Sequence, residues 1–166
     1  MPMITTAPAT EYDESFLYEL YASTRQEEMA FSGWEAAQIE TFLRMQFRLR
    51  TASYAAQYPS AEHNIIASEG QPVGATIVNR SDTEISLVDI AFLPMHRNKG
   101  FGTLLLNSLK DESLASDRPI RLQVDRQGIA LHLYERLGFA ATGEDALRIA
   151  MVWIPKAGTT IAGATP

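Results

Sequence analysis

Ile85-Ser86-Leu87-Val88-Asp89-Ile90-Ala91-Phe92-Leu93-Pro94-Met95-His96-Arg97-Asn98-Lys99-Gly100-Phe101-Gly102-Thr103 joins a strand, a tight loop and a helix start in one uninterrupted stretch. From Glu84 to Leu93 apolar and polar residues alternate, as in a strand. The apolar positions are Ile85 and Leu87, then slip by one to Val88, Ile90 and Phe92. One extra residue is the trace of a β-bulge, which releases backbone N–H and C=O groups from the ladder. A central strand buried on both faces gives the same pattern. Pro94 ends the strand, and a helix begins at Gly100. Gly100 and Gly102 let a bulky ligand approach the backbone without a Cβ in the way. Successive N–H groups at such a helix start attract anions. Arg97 and Lys99, with His96, concentrate positive charge there. The loop suits a pyrophosphate, or it is a capped turn with two incidental glycines. It is not a Walker A loop, and a dinucleotide fingerprint needs a glycine where Leu105 stands.

Upstream, the periodicity predicts a helix from Thr10 or Asp13 to Glu28, with Phe16, Leu17, Leu20 and Tyr21 on one face. Ser32 and Gly33 break the chain, and a second helix runs from Trp34 to Tyr58, closed by Pro59. A short first strand at Met3–Thr6 is weakly marked. Asn64–Ser68, Val73–Val78 and Glu84–Leu93 are strands joined by short turns, expected as an antiparallel meander. Downstream, the helix from Gly100 to Ser116 buries Leu104, Leu105, Leu109 and Leu114. Pro119–Val124 is a strand, Gly128–Leu137 a helix ended by Gly138, and Phe139–Glu144 with Leu147–Trp153 a closing strand pair. A strand–helix–strand passage from Glu84 to Val124 requires one parallel pairing. The expected class is α+β, a mixed α/β arrangement. It has a central mixed sheet of about six or seven strands, one of them bulged, with helices on both faces.

The 166 residues fit one domain, here 1–155, with a loose Gly/Ala/Thr-rich tail at 156–166. With 46% hydrophobic and 20% charged residues, the composition is that of a globular protein. The absence of Cys excludes disulfides, thiolate metal sites and Cys nucleophiles. Three scattered His lack metal-ligand spacing, so no metal is expected. A net charge of −6 argues against nucleic acid as a partner. No apolar run reaches the ~18–20 residues of a membrane span, and no signal-peptide pattern opens the chain. A cytoplasmic location and no membrane partner are expected.

Val88–Pro94 followed by Arg97-Asn98-Lys99-Gly100-Phe101-Gly102 resembles the coenzyme A motif of the GNAT superfamily of N-acetyltransferases, Gln/Arg-x-x-Gly-x-Gly/Ala after a bulged strand. Ala130-Leu131-His132-Leu133-Tyr134-Glu135-Arg136-Leu137-Gly138-Phe139 is similar to that family's second signature, Ala-x-x-Leu-Tyr-x-x-x-Gly-Phe. Both signatures occur in order and together cover residues 84–140. The resemblance implies a GNAT-like fold and an acetyl-CoA-dependent N-acetyltransferase. A primary amine would attack directly in a ternary complex. The alternative is a catalytically weak CoA-binding sensor or structural module on the same fold.

The resemblance also implies roles. Arg97, Asn98, Lys99, Gly100, Phe101 and Gly102 would hold the pyrophosphate of coenzyme A. Ile90, Ala91 and Phe92 would offer main-chain bonds to the pantetheine. Gln127 stands where the family often has an Asn that contacts the cofactor. Tyr134 would also contact the cofactor and protonate the leaving thiolate, unless it is a core aromatic. An alkylamine has a pKa near 10.4, so its proton must be removed. Asp89 is the first candidate for that base and Glu84 the second. The acceptor is either a small-molecule amine or a protein or peptide amine. Trp34, Met29, Phe31, Met45, Phe42 and Tyr54, with Glu27, Glu28 and Glu35, would face it, or else serve as core and solvated face. The last strands offer an edge to a second copy of the chain.

Overall fold

Prolines, glycines and hydroxyl side chains set the element boundaries in the computed structural model, which describes residues 3–156. The chain runs β1 (Thr5–Pro8), α1 (Glu14–Ser23), α2 (Gln26–Ala30), α3 (Ala36–Gln57), β2 (Glu62–Ser68), β3 (Gln71–Arg80) and β4 (Ile85–Phe92). It continues through α4 (Phe101–Ser116), β5 (Ile120–Asp125), α5 (Ala130–Arg136), β6 (Ala140–Glu144) and β7 (Arg148–Trp153). The seven strands form one mixed sheet in the order β1-β2-β3-β4-β5-β7-β6. From residue 157 on, the expected tail lies outside the described residues. The chain divides into two compact units, one made of the chain up to Ile77 with Asp89–Lys99, the other of Val78–Val88 with the chain from Gly100.

In the first unit β1 pairs antiparallel with β2, Thr5 opposite Ala67 and Pro8 opposite Asn64. The single first helix expected from Thr10 or Asp13 to Glu28 is instead two. Ser23 Oγ and Thr24 Oγ1 donate to the carbonyls of Leu20 and Tyr21 at 2.7 Å each. Hydroxyls that bond back this way compete with the helical ladder and end α1 at Ser23. Gly33, at φ +77°, turns the chain toward α3. The Glu35 N–H donates to Gln38 Oε1 at 2.9 Å and starts that helix. Tyr18 and Tyr21 of α1 each set their ring 5.7 Å from Phe47 of α3. Leu20, Leu43, Ile66 and Val73 are buried in this unit.

In the second unit β4 and β5 run parallel, Ile85 to Leu87 opposite Ile120 to Leu122. Ile120, Leu122 and Val124 are buried and alternate with exposed residues, as the sequence predicts. On α4, Phe101, Leu105, Leu106 and Leu109 are buried. Leu106 is buried, whereas Leu104 and Leu114 of the expected stripe are only half-buried: α4 packs on β5, and a helix with several leucines can bury more than one face. Arg80 meets Glu112 at both ends of its guanidinium, Nε–Oε2 2.6 Å and Nη2–Oε1 2.9 Å. Arg118 adds a contact to the same carboxylate at 3.3 Å. β7 pairs antiparallel with β5 and with β6, and a register shift falls between Ala141 and Gly143 of β6.

Candidate functional site

Along β4 burial changes character where the apolar parity slips. Ile85 and Leu87 are buried, whereas Val88 to Phe92 are all half-buried. The Leu93 N–H bonds Val73 O at 2.9 Å, keeping the end of β4 on β3. Gly74 of β3 faces this point. A Cβ there would stand 2.6 Å from Phe92 Cδ1 and closer still to the Ala91 carbonyl oxygen. Only a glycine allows the two backbones to meet so closely.

After β4 the chain makes a 3₁₀ turn at Pro94–His96, with the His96 N–H on Leu93 O at 2.8 Å. Asn98 and Gly100 then both adopt left-handed backbone, φ +60° and +86°. Among the described residues nothing lies within 4 Å of a Cβ built on Gly100, so the backbone angle and not crowding requires glycine. Asn tolerates the same region because its short amide bonds locally. Gly100 stands at the N-cap of the 16-residue helix α4 and brings no side-chain hydrogen bond to it. Its positive dipole end and first-turn N–H groups, Gly102 and Thr103 among them, are the donor set that suits phosphate oxygens.

Arg97 does not simply project from this loop. Its Nε donates to Phe92 O at 2.9 Å and its Nη2 lies 3.5 Å from Ser23 Oγ. The side chain thus ties the loop back to β4 and to the end of α1. Asn98 and Lys99 are exposed.

Tyr134 is only 5% exposed. It is the buried residue of α5, with its ring 5.7 Å from that of Phe139, whose N–H bonds Tyr134 O at 3.0 Å. Gln127 is exposed in the turn after β5. His132 is exposed as well, 3.6 Å from Glu135. Phe31, Trp34 and Met45 are exposed, and Trp34 meets Phe42 edge-on at 5.2 Å. Glu27, Glu28 and Glu35 are exposed too.

Both strand carboxylates have arginine partners. Glu84 lies 3.4 Å from Arg121 Nε and accepts from Ser86 Oγ at 3.0 Å. Asp89 Oδ2 lies 2.6 Å from Arg50 Nη2, with the two side chains 29% and 25% exposed. The Arg50 guanidinium sits over the rings of Tyr21 and Tyr54, at 5.2 and 4.9 Å. Burial opposes its charge, but Asp89 and Tyr54 together more than offset this, so its pKa is raised above that of a free guanidinium. Sequence reasoning missed Arg50. A signal exists: with Leu43, Phe47 and Tyr54 it occupies one stripe of α3, where a solvated arginine has no reason to stand.

Among the described residues no helix is long and apolar enough to cross a membrane. Residues 23–155 match the family model described as an acetyltransferase (GNAT) domain, a match that runs through both units. Among solved structures, the chain is similar to the PaiA N-acetyltransferase from Thermoplasma acidophilum in complex with coenzyme A. The identity is 18%, over 92% of this chain and 99% of that one, with a TM-score of 0.66. It is similar to the ribosomal-protein-S18-alanine N-acetyltransferase from Escherichia coli at 22% identity, over 94% and 97% of the two chains, TM-score 0.62. An acetyltransferase from Thermus thermophilus matches at 18% identity over 92% and 97%, TM-score 0.65. No protein of curated function matches.

Proposed function

The chain belongs to the GNAT family of acetyltransferases, and on that premise we propose that it moves the acetyl group of acetyl-CoA to a primary amine by direct attack in a ternary complex. One observation carries this reading: left-handed Asn98 and Gly100 lead into the N-terminus of α4, where the N-cap residue is a glycine with no side chain to cap it. That donor set fits a pyrophosphate. A solved relative in fold, the PaiA enzyme, is described in complex with coenzyme A. In this reading residues 1–155 work as one acetyltransferase domain in the cytoplasm.

The backbone of Asn98 to Gly102 holds the pyrophosphate, and Lys99 adds charge. Arg97 holds the loop in place against Phe92 O and Ser23, and leaves its remaining donors to the phosphates. Ile90, Ala91 and Phe92 present main-chain groups to the pantetheine, and a backbone N–H of this segment polarises the thioester carbonyl. Gln127 contacts the cofactor from the turn after β5. The amine nitrogen bonds to the acetyl carbon as the carbon–sulfur bond breaks, and Tyr134 gives the departing sulfur its proton. At neutral pH only about one alkylamine in 10³ is unprotonated. With Asp89 held through Oδ2, water takes the amine's proton, and Asp89 keeps Oδ1 for a cationic acceptor.

Calorimetric titration with acetyl-CoA, with NAD and ATP as controls, tests the donor. Saturable binding of acetyl-CoA alone, weakened by Arg97→Ala, is expected. Absence of binding refutes the reading. Tyr134→Phe should lower kcat by ~10²-fold; an unchanged kcat makes Tyr134 a packing residue. One observation favours a CoA-binding sensor: Glu84 and Asp89 both face arginines. Acetyl-CoA binding without transfer to any amine of a broad panel decides for it.

A further inference from the structure

We propose that Arg50 and Asp89 form an acceptor subsite for the zwitterionic head of a free diamino acid, whose side-chain amine is the group acetylated. This rests on the acetyltransferase reading and names its substrate class.

The two arginine–carboxylate pairs of comparable exposure differ in closure. Arg80 and Glu112 are joined at both ends, by bonds of 2.6 and 2.9 Å. Arg50 and Asp89 meet at 2.6 Å, Nη2 to Oδ2, and among the described residues no second hydrogen bond closes this pair as it closes Arg80 and Glu112. Among the described residues no protein group bonds Asp89 Oδ1, while the Asp89 backbone carbonyl is fixed by Thr76 Oγ1 at 3.1 Å. A guanidinium has five donors, and contacts to Asp89 and Tyr54 leave some of them open. Its Cζ lies over the rings of Tyr21 and Tyr54. The pair therefore offers one open anionic oxygen beside open cationic donors, on partly exposed side chains. An α-ammonium next to an α-carboxylate is the complement of that arrangement, the carboxylate on Arg50 and the ammonium on Asp89.

The spacing selects which amine reacts. Asp89 stands three residues before Phe92 on β4, about 10 Å along the strand. An amine held at Asp89 itself is too far from a thioester placed at Phe92. A chain of four methylenes spans about 6 Å, and hydrogen-bonded contacts of about 3 Å complete the distance. The head group rests at Arg50 and Asp89, and the far amine reaches the carbonyl. A lysine within a peptide lacks both head charges and does not fit.

Free lysine, 1,5-diaminopentane, 1-aminopentane and a lysine-containing peptide serve as acceptors in steady-state kinetics with the full chain and acetyl-CoA. Lysine is expected to show the lowest KM, and its product should carry the acetyl group on the side-chain nitrogen. In Arg50→Met the ratio of kcat/KM for lysine to that for 1-aminopentane should fall about tenfold or more. Arg50→Lys should restore part of it. Calorimetry of lysine with the CoA-bound protein reads binding apart from transfer. Lysine binding that is lost in Arg50→Met, without acetylation, upholds the subsite and refutes the transferase reading. Transfer to 1-aminopentane as efficient as to lysine refutes the subsite and leaves the transferase. A ratio unmoved by Arg50→Met makes the pair purely structural. If lysine neither binds nor reacts, the proposal is wrong.

Discussion

Gly74→Ala tests the tightest point near the proposed donor site. The added Cβ would stand 2.6 Å from Phe92 Cδ1, against the 3.4 Å at which ordinary contact begins. The Phe92 ring can turn away by the required ~0.8 Å, but the Ala91 carbonyl oxygen, nearer still, is backbone and cannot turn independently of β4. Two effects oppose each other. Alanine restricts the unfolded chain and so stabilises by ~0.4–1 kcal/mol where its backbone is tolerated. Overpacking costs ~1–3 kcal/mol. The clash is with backbone, so the second effect wins, with a net loss of ~1–2 kcal/mol. For a chain of this size that lowers Tm by ~2–8 °C. Any relief moves Ala91 and Phe92 away from β3. If those residues present their main chain to the pantetheine, acetyl-CoA binding must weaken too, since hydrogen bonds weaken as their donor–acceptor distances stretch beyond ~3.2 Å. Urea unfolding followed by circular dichroism gives the first quantity and calorimetry the second. A variant as stable as the parent, with undiminished affinity, would show that β3 and β4 do not approach as described. Lost stability with intact affinity would remove Ala91 and Phe92 from the donor site.

Glu112→Ala removes the carboxylate that Arg80 and Arg118 share, and urea unfolding should show a loss of ~1–3 kcal/mol; a change below the ~0.5 kcal/mol typical of exposed pairs refutes this. Gly100→Ala meets open space but forces a Cβ into a left-handed residue, so a loss of ~1–2 kcal/mol is expected in the same assay. No loss there would mean that the loop has another backbone course. Asp145 accepts the N–H groups of Leu147 and Arg148 at 2.8 Å each, and these bonds lower its pKa below the ordinary 3.8. A depressed folded pKa gives stability that is complete above the unfolded value and lost as pH falls through the folded one. The stability difference between parent and Asp145→Asn should therefore be constant at neutral pH and shrink only in the acid range below about 4. A difference that varies between about pH 6 and 8 contradicts this assignment.

What the sequence made legible was local. Alternation at Ile120, Leu122 and Val124 marks a strand with one buried face, and the glycines at 100 and 138 mark a helix start and a helix end. The parallel pairing of β4 with β5 followed from connectivity alone, because a strand–helix–strand unit of that length has few other solutions. The split of α1 from α2 had a local cause as well, two adjacent hydroxyls at Ser23 and Thr24, but periodicity runs through it unchanged and hides it. The choice of Leu106 over Leu104 and Leu114 has no local cause. It depends on where α4 lands on β5, and a leucine-rich helix supports several faces almost equally.

Arg50 lies at the far end of this scale. It and Asp89 are 39 positions apart in the chain, and neither residue's neighbours in sequence announce the other. Asp89 read as a lone acid on an apolar strand, which is why it was a candidate base. Arg50 is one of three arginines on α3, and nothing local sets it apart as a partner of Asp89. Only the fold brings Arg50 and Asp89 to 2.6 Å. A carboxylate so held has one oxygen spoken for and one left over, and that asymmetry turns a candidate for proton removal into a candidate for substrate recognition. The general constraint is physical: a half-buried charge needs its partner, so an unexplained acid on a strand implies a base elsewhere in the chain. On α3 the choice narrows to one. Arg44 reaches Glu40 one turn away and Arg48 is exposed, while Arg50 alone shares the stripe of Leu43, Phe47 and Tyr54 that faces inward.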